Sequence, residues 1–215
     1  MLCKQGKIIK AYNYAEIEAI GAYVGGICGQ NNGTVEKCKN EGNVCATSST
    51  GGIVGINYAT IKECANKGDI RNKTDTANIG GISGRNFSST TTIENCYNLG
   101  NLGIQKIYVL GSGGIVGDNP GKVSNYYSIS TMFGSKLGGI TSKNNGSISN
   151  CFYVKNGNFD IQYEGTGTIE NSGEKTENEM KEDTILDLLD SGNTEKVWRL
   201  KSGVNDGFPY LSWEE

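Results

Sequence analysis

Seven cysteines, a recurring set of asparagines and scattered carboxylates are the side chains that could do chemistry in this sequence. The sequence has no histidine. That excludes imidazole-based acid–base catalysis, histidine metal ligands and Ser-His or Cys-His nucleophile pairs. No two cysteines have the C-x₂-C spacing of a metal site or a redox motif.

Four of the cysteines stand at one repeat position, at which the fourth repeat has Tyr126 instead: Cys38, Cys64, Cys96 and Cys151. In stacked strands their Cα atoms would lie about 4.8 Å apart, inside the disulfide range but below its usual separation. A free cysteine also packs well as a small buried apolar residue. We therefore predict a column of reduced, buried thiols, with disulfides and a metal site as the alternatives.

Five asparagines each stand four residues after an isoleucine: Asn31, Asn57, Asn86, Asn119 and Asn144. Such a column could bind a ligand. Asparagine amides also satisfy turn backbone and, when stacked in register, hydrogen-bond to one another. We therefore predict a structural column of amides.

Paired carboxylates could serve a glycosidase or a lyase. The acids of residues 1–172 form no dense cluster in sequence, and Glu36, Lys62 and Glu94 share one repeat position, as expected of cross-strand ion pairs. We therefore predict a chain that is not an enzyme, with no catalytic, cofactor or metal site.

These residues belong to an internal repeat. The tripeptide Gly-Gly-Ile occurs five times, at spacings of 26, 29, 33 and 25 residues. Its isoleucines form one column: Ile27, Ile53, Ile82, Ile115 and Ile140. The sequence is also rich in glycine, with 32, and poor in proline, with 2. β-Branched residues at fixed positions of such a period are typical of coils that bury their apolar side chains only by stacking.

The sequence therefore predicts an all-β chain, a parallel β-helix or β-solenoid of about six coils with roughly 26 residues each. The repeats differ in length at one position of the repeat, in the segments 46–50, 72–78 and 103–112. We expect these three inter-repeat loops to lie together on one face of the solenoid.

Residues 173–215 differ in character from residues 1–172. They carry a net charge of −6 against +3 for the preceding part. Thr176 and Glu179 form a capping-box pattern before an apolar stripe from Met180 to Leu189, and the segment ends in Pro-Tyr-Leu-Ser-Trp. We predict two units: repeats in 1–172, and a small helix-plus-strand cap in 173–215 that closes the open end of the solenoid.

The pattern Gly-Gly-Ile-x-Gly-x-Asn, followed by Thr-Ile-x-x-Cys-x-Asn-x-Gly, is clearest in residues 51–70 and 80–102. It resembles the GLUG motif repeat of bacterial surface and secreted proteins, including immunoglobulin A peptidases. The resemblance implies an extracellular or cell-surface stalk or adhesin module, and it carries no catalytic residues over to this chain.

We therefore expect a non-catalytic module of a larger bacterial protein, acting as a rigid spacer or an adhesin. Its partner would be a host or bacterial glycan or protein, bound through the inter-repeat loops, which include Tyr108. The net charge of −3 predicts no nucleic-acid binding. We also expect no membrane insertion and a monomer. The alternative is a β-helix that binds or cleaves polysaccharide.

Overall fold

The computed structural model describes residues 2–3, 5–74, 78–103, 111–157 and 159–215. In these residues the predicted fold class is confirmed: parallel strands stack into a β-solenoid of about six coils. The first coil begins with strand Leu2–Cys3, and the last, partial coil contains the strands Asp160–Glu164, Thr168–Glu170 and Gly173–Lys175.

The first sheet contains the strands that precede and the strands that follow the Gly-Gly-Ile corners of all coils. Before the corner lie the strands Tyr23–Gly25, Ser49–Gly51, Asn78–Gly80 and Gly111–Gly113. After it lie Leu2–Cys3, Cys28–Asn31, Val54–Asn57, Ser83–Asn86, Val116–Asn119 and Asp160–Glu164, and Leu137–Asn144 spans both parts. The parallel register places identical repeat positions on neighbouring coils, such as Asn31 opposite Asn57.

The second sheet carries the β-branched column on the next face. Its strands are Lys7–Ile9, Tyr12–Asn13, Thr34–Glu36, Lys39–Asn40, Thr60–Lys62, Ala65–Asn66, Thr92–Asn98, Lys122–Ile129, Ser147–Val154, Thr168–Glu170 and Gly173–Lys175. A third, shorter sheet contains Ile17–Glu18, Val44–Ala46 and Ile70–Asn72. Parallel bridges from Ile70 to Leu102 and from Leu102 to Met132 extend the third sheet.

In the second sheet, each coil bends at a residue with a left-handed backbone conformation. This residue comes directly before the position of the cysteine column. The φ angles of these residues are between 44° and 57° for Lys10, Lys37, Glu63, Asn95, Asn125, Asn150 and Asn171. Asparagine adopts this conformation more readily than most other residues. The later coils therefore carry the residue that suits the turn, whereas the earlier ones carry lysine or glutamate.

The C-terminal segment contains the predicted helix and strand elements. One short α-helix spans Thr184–Leu189, 3-10 turns span Glu179–Lys181, Asn205–Gly207 and Ser212–Glu214, and Trp198–Arg199 pairs antiparallel with Tyr210–Leu211. The capping box is present: the Thr176 hydroxyl accepts from the Glu179 amide at 3.2 Å, and the Glu179 carboxylate accepts from the Thr176 amide at 2.7 Å.

This segment lies along the side of the solenoid. Its Met180, Trp198 and Leu211 form a second apolar core with Tyr97 and Tyr127 of the coils. The Trp213 indole donates to the Glu63 carbonyl at 2.9 Å, and the Lys39 ammonium lies 3.4 Å from the Glu214 carboxylate. The segment therefore braces several coils at once.

The position of this segment differs from the expected end cap, since Ile169 in the last coil is 37% exposed. The physical reason is an outward repeat position that is large and apolar in the later coils, where Tyr97, Tyr127 and Phe152 follow Tyr12, Lys39 and Ala65 of the earlier ones. Those rings are covered from the side. The boundary at residue 172 stays a prediction, and strand Gly173–Lys175 still pairs with Phe152–Val154.

The described parts of two inter-repeat loops lie together. The Thr74 hydroxyl donates to the Thr47 carbonyl at 2.8 Å, and the Asn72 amide donates to the Ser48 carbonyl at 2.6 Å. Residues 75–77 of the second loop and 104–110 of the third, with Tyr108, lie outside the described residues.

Candidate functional site

The isoleucines of the Gly-Gly-Ile corners point into one core. Ile53, Ile82, Ile115 and Ile140 are fully buried, and Ile27 is half-buried against the same cluster. Their backbone groups are also paired from coil to coil, as in the bond from the Ile53 amide to the Ile82 carbonyl at 3.0 Å. This column is packing and presents nothing to a ligand.

The five predicted asparagines form a continuous hydrogen-bonded column, the first ladder. Each amide nitrogen donates to the amide oxygen one coil further on, at 2.8, 3.0, 2.9 and 3.0 Å from Asn31 through Asn57, Asn86 and Asn119 to Asn144. All five side chains are buried. The oxygens also accept from turn backbone, as Asn31 does from the Gly33 amide at 3.0 Å.

A second ladder of asparagines runs two residues after the cysteine column. Asn13 donates to Asn40, Asn40 to Asn66 and Asn66 to Asn98, at 2.7, 2.8 and 2.7 Å. Ser128 takes the next position, 3.4 Å from the Asn98 amide. The signal for this ladder was the asparagine in the Cys-x-Asn-x-Gly half of the repeat.

The second ladder explains the second glycine of the first three Gly-Gly pairs, Gly26, Gly52 and Gly81. A Cβ atom on Gly52 would lie 2.5 Å from the Asn66 amide oxygen and 2.2 Å from the Gly81 carbonyl, both closer than van der Waals contact allows. The same holds for Gly26 against Asn40. These glycines therefore make room for stacked amides and the neighbouring coil.

The four repeat cysteines are free and fully buried. The Cys64 backbone amide donates to the Cys96 sulfur at 3.3 Å, so this thiol is bonded to the backbone of the preceding coil. Burial raises the pKa of Cys64 and Cys151, and hydrogen bonding to Cys64 together with burial raises the pKa of Cys38. Thiols held protonated in an apolar core are poor nucleophiles.

A polar cleft of about 200 Å³ lies between the two parts of the first sheet. One wall is an outward register column in which Asp118, Lys143 and Glu164 follow one another on successive coils. The other wall includes Asn78 and Lys136. The cleft combines amide, ammonium and carboxylate groups on one surface, which suits it to a polar, hydroxyl-rich ligand.

The carboxylates of the cleft are held in ion pairs. Asp118 lies 3.0 Å from the Arg85 guanidinium, and Glu164 lies 3.3 Å from the Lys136 ammonium. In the register, Lys143 stands between the two acids. Tyr163 flanks the cleft, with its ring centroid 5.7 Å from the Lys136 nitrogen. This alternation of charge is the pattern of cross-strand pairing.

Two further features bear on function. In the described part of the chain, no group of three or more cysteine, aspartate or glutamate side chains is placed to hold a metal ion. No helix among the described residues is long and apolar enough to cross a membrane.

The sequence matches no protein-family model and no curated protein. Its structure is similar to the crystal structure of a "putative immunoglobulin A1 protease" from Bacteroides ovatus, with a TM-score of 0.62 and 17% sequence identity. The similarity covers 98% of this chain and 76% of that chain. At this identity, the shared property is the β-solenoid fold.

Proposed function

We propose that this chain is a non-catalytic β-solenoid module of a larger bacterial cell-surface or secreted protein, acting as a rigid spacer or an adhesin. The observation that carries the proposal is the pair of asparagine ladders. The recurring polar side chains of the repeat are buried and hydrogen-bonded to their own copies on the next coil. Asparagines bonded in this way stabilise the stack of coils, and their burial leaves them inaccessible to a ligand.

The bacterial origin and the extracellular location are proposed from similarity to other proteins. The repeat resembles the GLUG motif, and the similar Bacteroides ovatus structure is named for an immunoglobulin A1 protease. A peptidase activity is not carried over, because neither the shared fold nor the repeat brings catalytic residues. We propose the module as a part that extends or displays other domains.

Stiffness follows from the construction of the coils. About six coils at roughly 4.8 Å each form a rod of about 25–30 Å. In it, the strands pair in parallel while two amide ladders run along the axis. A bend would have to break several of these contacts together, so the rod transmits position well, as a spacer must.

The polar cleft favours a second candidate function, carbohydrate binding. Sugars are bound by side chains that offer both donors and acceptors, with an aromatic ring beside them, and Asn78, Lys143, Asp118 and Tyr163 offer these groups. An adhesin could therefore bind glycan through this cleft, through the inter-repeat loops, or through both.

A glycan array combined with a polysaccharide hydrolysis assay tests these functions. The informative variants are D118N and K143Q in the cleft, and the matched control is E94Q in the outward column of the second sheet. The proposal predicts no turnover by any variant or by the wild type. Turnover lost in D118N and kept in E94Q would overturn it, whereas binding lost in K143Q alone would identify an adhesin that uses the cleft.

A further inference from the structure

The polar cleft lies where two positions depart from the repeat. On the strands after the corner, the position of Ser142 is a glycine in the preceding coils: Gly29, Gly55, Gly84 and Gly117. On the strands before the corner, the position of Gly111 carries a side chain in the other coils: Tyr23, Ser49, Asn78 and Lys136. One departure adds a side chain and the other removes one, and both residues line the cleft.

The two departures face each other across the cleft. In an earlier coil, Gly84 lets the facing strand approach closely, because a Cβ atom on it would lie 2.9 Å from the backbone carbonyl carbon of Ser49. At the cleft the arrangement is reversed, because a Cβ atom on Gly111 would lie 2.7 Å from the Ser142 hydroxyl oxygen. A serine faces a glycine in both places, but the strands that carry them are exchanged.

This exchange leaves room for a ligand. Gly111 stands between Asn78 and Lys136 in its column, so no side chain separates theirs. The backbones of Asn78 and Lys136 are two coil spacings apart, about 10 Å. The cleft volume of about 200 Å³ is smaller than that of pockets for drug-sized molecules, so it suits a single sugar unit.

Two polar side chains of the cleft have no protein partner. Ser142 is only 3% exposed, yet its hydroxyl makes no hydrogen bond within the described residues, and neither does the side-chain amide of Asn78. The buried hydroxyls of Ser83 and Thr141, by contrast, donate to backbone carbonyls at 3.0 and 2.9 Å. Buried polar groups are normally hydrogen-bonded, so the hydroxyl of Ser142 and the amide of Asn78 are available to the hydroxyl groups of a ligand.

The charges around the cleft favour an anion. Asp118 pairs with Arg85 at 3.0 Å, and Glu164 pairs with Lys136 at 3.3 Å. Lys143 is exposed and pairs with no carboxylate among the described residues, although Asp118 and Glu164 flank it in the register. Three cations against two carboxylates give a net charge of +1. The ammonium of Lys143 is therefore available to a ligand carboxylate.

We propose that the cleft binds a carboxylate-bearing sugar unit, a uronic or sialic acid residue of a glycan. Its carboxylate binds Lys143, and its hydroxyl groups bind Ser142 and Asn78. A hydrogen bond between two charged groups is stronger than one between neutral groups, so the carboxylate distinguishes this ligand from a neutral sugar. Tyr163, which is 53% exposed, offers an aromatic face beside the cleft. The proposal rests on carbohydrate binding, the second candidate function, and names its ligand class.

Isothermal titration calorimetry with the full chain tests the proposal. The probes are sialyllactose and trigalacturonic acid, each compared with its methyl ester, which keeps the rings and removes the charge. K143Q removes the ammonium, and G111S/S142G restores the arrangement of the earlier coil and fills the cleft. The matched control is K122Q, an exposed lysine on the second sheet. Circular dichroism and the melting temperature check that each variant remains folded.

We expect the wild type and K122Q to bind one of the two acids about tenfold more tightly than its ester. The acid that binds identifies the class of glycan. We expect K143Q to bind acid and ester alike, and G111S/S142G to bind neither.

Three results would overturn the proposal. Equal binding of acid and ester by the wild type would do so and leave glycan binding by the cleft intact. Binding of an acid that persists in G111S/S142G would place its site elsewhere on the chain. Binding of none of the four sugars, together with no binding on a glycan array, would remove both this proposal and the carbohydrate-binding function.

Discussion

The coils and the C-terminal segment are stabilised in different ways. Each inner coil repeats the same contacts with two neighbours: paired strands, a stacked asparagine of the first ladder, and an isoleucine over an isoleucine. The segment from residue 176 onward is attached through individual contacts, such as the Tyr127 hydroxyl bonded to the Pro209 carbonyl and the Tyr97 hydroxyl bonded to Glu214 at 3.0 Å. Repetition makes the coils interdependent, whereas the segment depends on a few anchors.

This difference predicts how substitutions act. A change in a column should disturb the coil and both neighbours, whereas a change in an anchor should release the segment and leave the stack folded. Four substitutions separate these outcomes.

The largest effect is expected for Ile82→Asp. The change places an unpaired carboxylate between two coils, and we expect the free energy of unfolding to fall by about 4 kcal/mol or more. Urea unfolding followed by circular dichroism measures the loss. The control is I20D on the exposed Ile20, which should change stability by about 0.5 kcal/mol or less. A midpoint unchanged by I82D would contradict the stacked core.

Trp198→Ala tests the anchors. Trp198 is fully buried, and its ring centroid lies 5.7 Å from that of Tyr127 and 6.2 Å from that of Tyr97. Truncation should cost about 3–5 kcal/mol of the docking of the C-terminal segment.

Limited proteolysis measures this change. In W198A we expect cleavage within residues 176–215 while the coils resist, and we expect W198F to be cleaved less because it keeps an aromatic ring. Simultaneous digestion of coils and segment would show that the two parts unfold together.

The sequence predicts the stacking of the coils well and the docking position of the C-terminal segment poorly, and the reason is physical. Inward columns repeat, so Ile53 and Ile82 predict each other, and the fold follows from stacking them. The docking of the segment depends on outward residues, and Tyr97 and Tyr127 stand where the earlier coils have Lys39 and Ala65. The large aromatic residues at this position are visible in the sequence, but only the structure shows that the C-terminal segment packs over them.

The candidate site was harder to predict than the ladders. The polar cleft joins Asn78 and Lys136, before the Gly-Gly-Ile corner, to Asp118 and Glu164, after it. Their proximity depends on the angle of the corner and on neighbouring coils, and no local spacing encodes it. The second asparagine ladder, by contrast, can be predicted from the sequence once the Cys-x-Asn-x-Gly halves of the repeats are aligned.

Asn66→Ala should have a moderate effect within the stack. The substitution removes the acceptor of Asn40 and the donor to Asn98, leaving buried amide groups without partners. We expect a loss of about 1–3 kcal/mol, measured by urea unfolding. The control N178A changes an exposed asparagine whose side chain makes no capping bond. Equal stability of N66A and the wild type would show that the ladder contributes nothing.

Glu63→Asn should have the smallest effect and the opposite sign. Glu63 has φ of 50°, and the equivalent residue of the next coil is Asn95. Asparagine relieves the cost of left-handed backbone, so we expect stability to rise by up to about 1 kcal/mol. The loss of the partly buried pair with Lys37 at 3.6 Å offsets part of this gain. The melting temperature of E94N, changed at an extended strand position, should not rise, and a rise equal to that of E63N would refute the explanation.

Native-state hydrogen exchange with mass spectrometry tests the central claim, that the coils form one stiff stack braced by a separately anchored segment. We predict that amides of Val54–Asn57, Ser83–Asn86 and Val116–Asn119 exchange through one shared unfolding event. Amides of Trp198–Arg199 and Tyr210–Leu211 should exchange together at a lower free energy while the coils stay protected. Coils that open one at a time at different free energies would contradict the account.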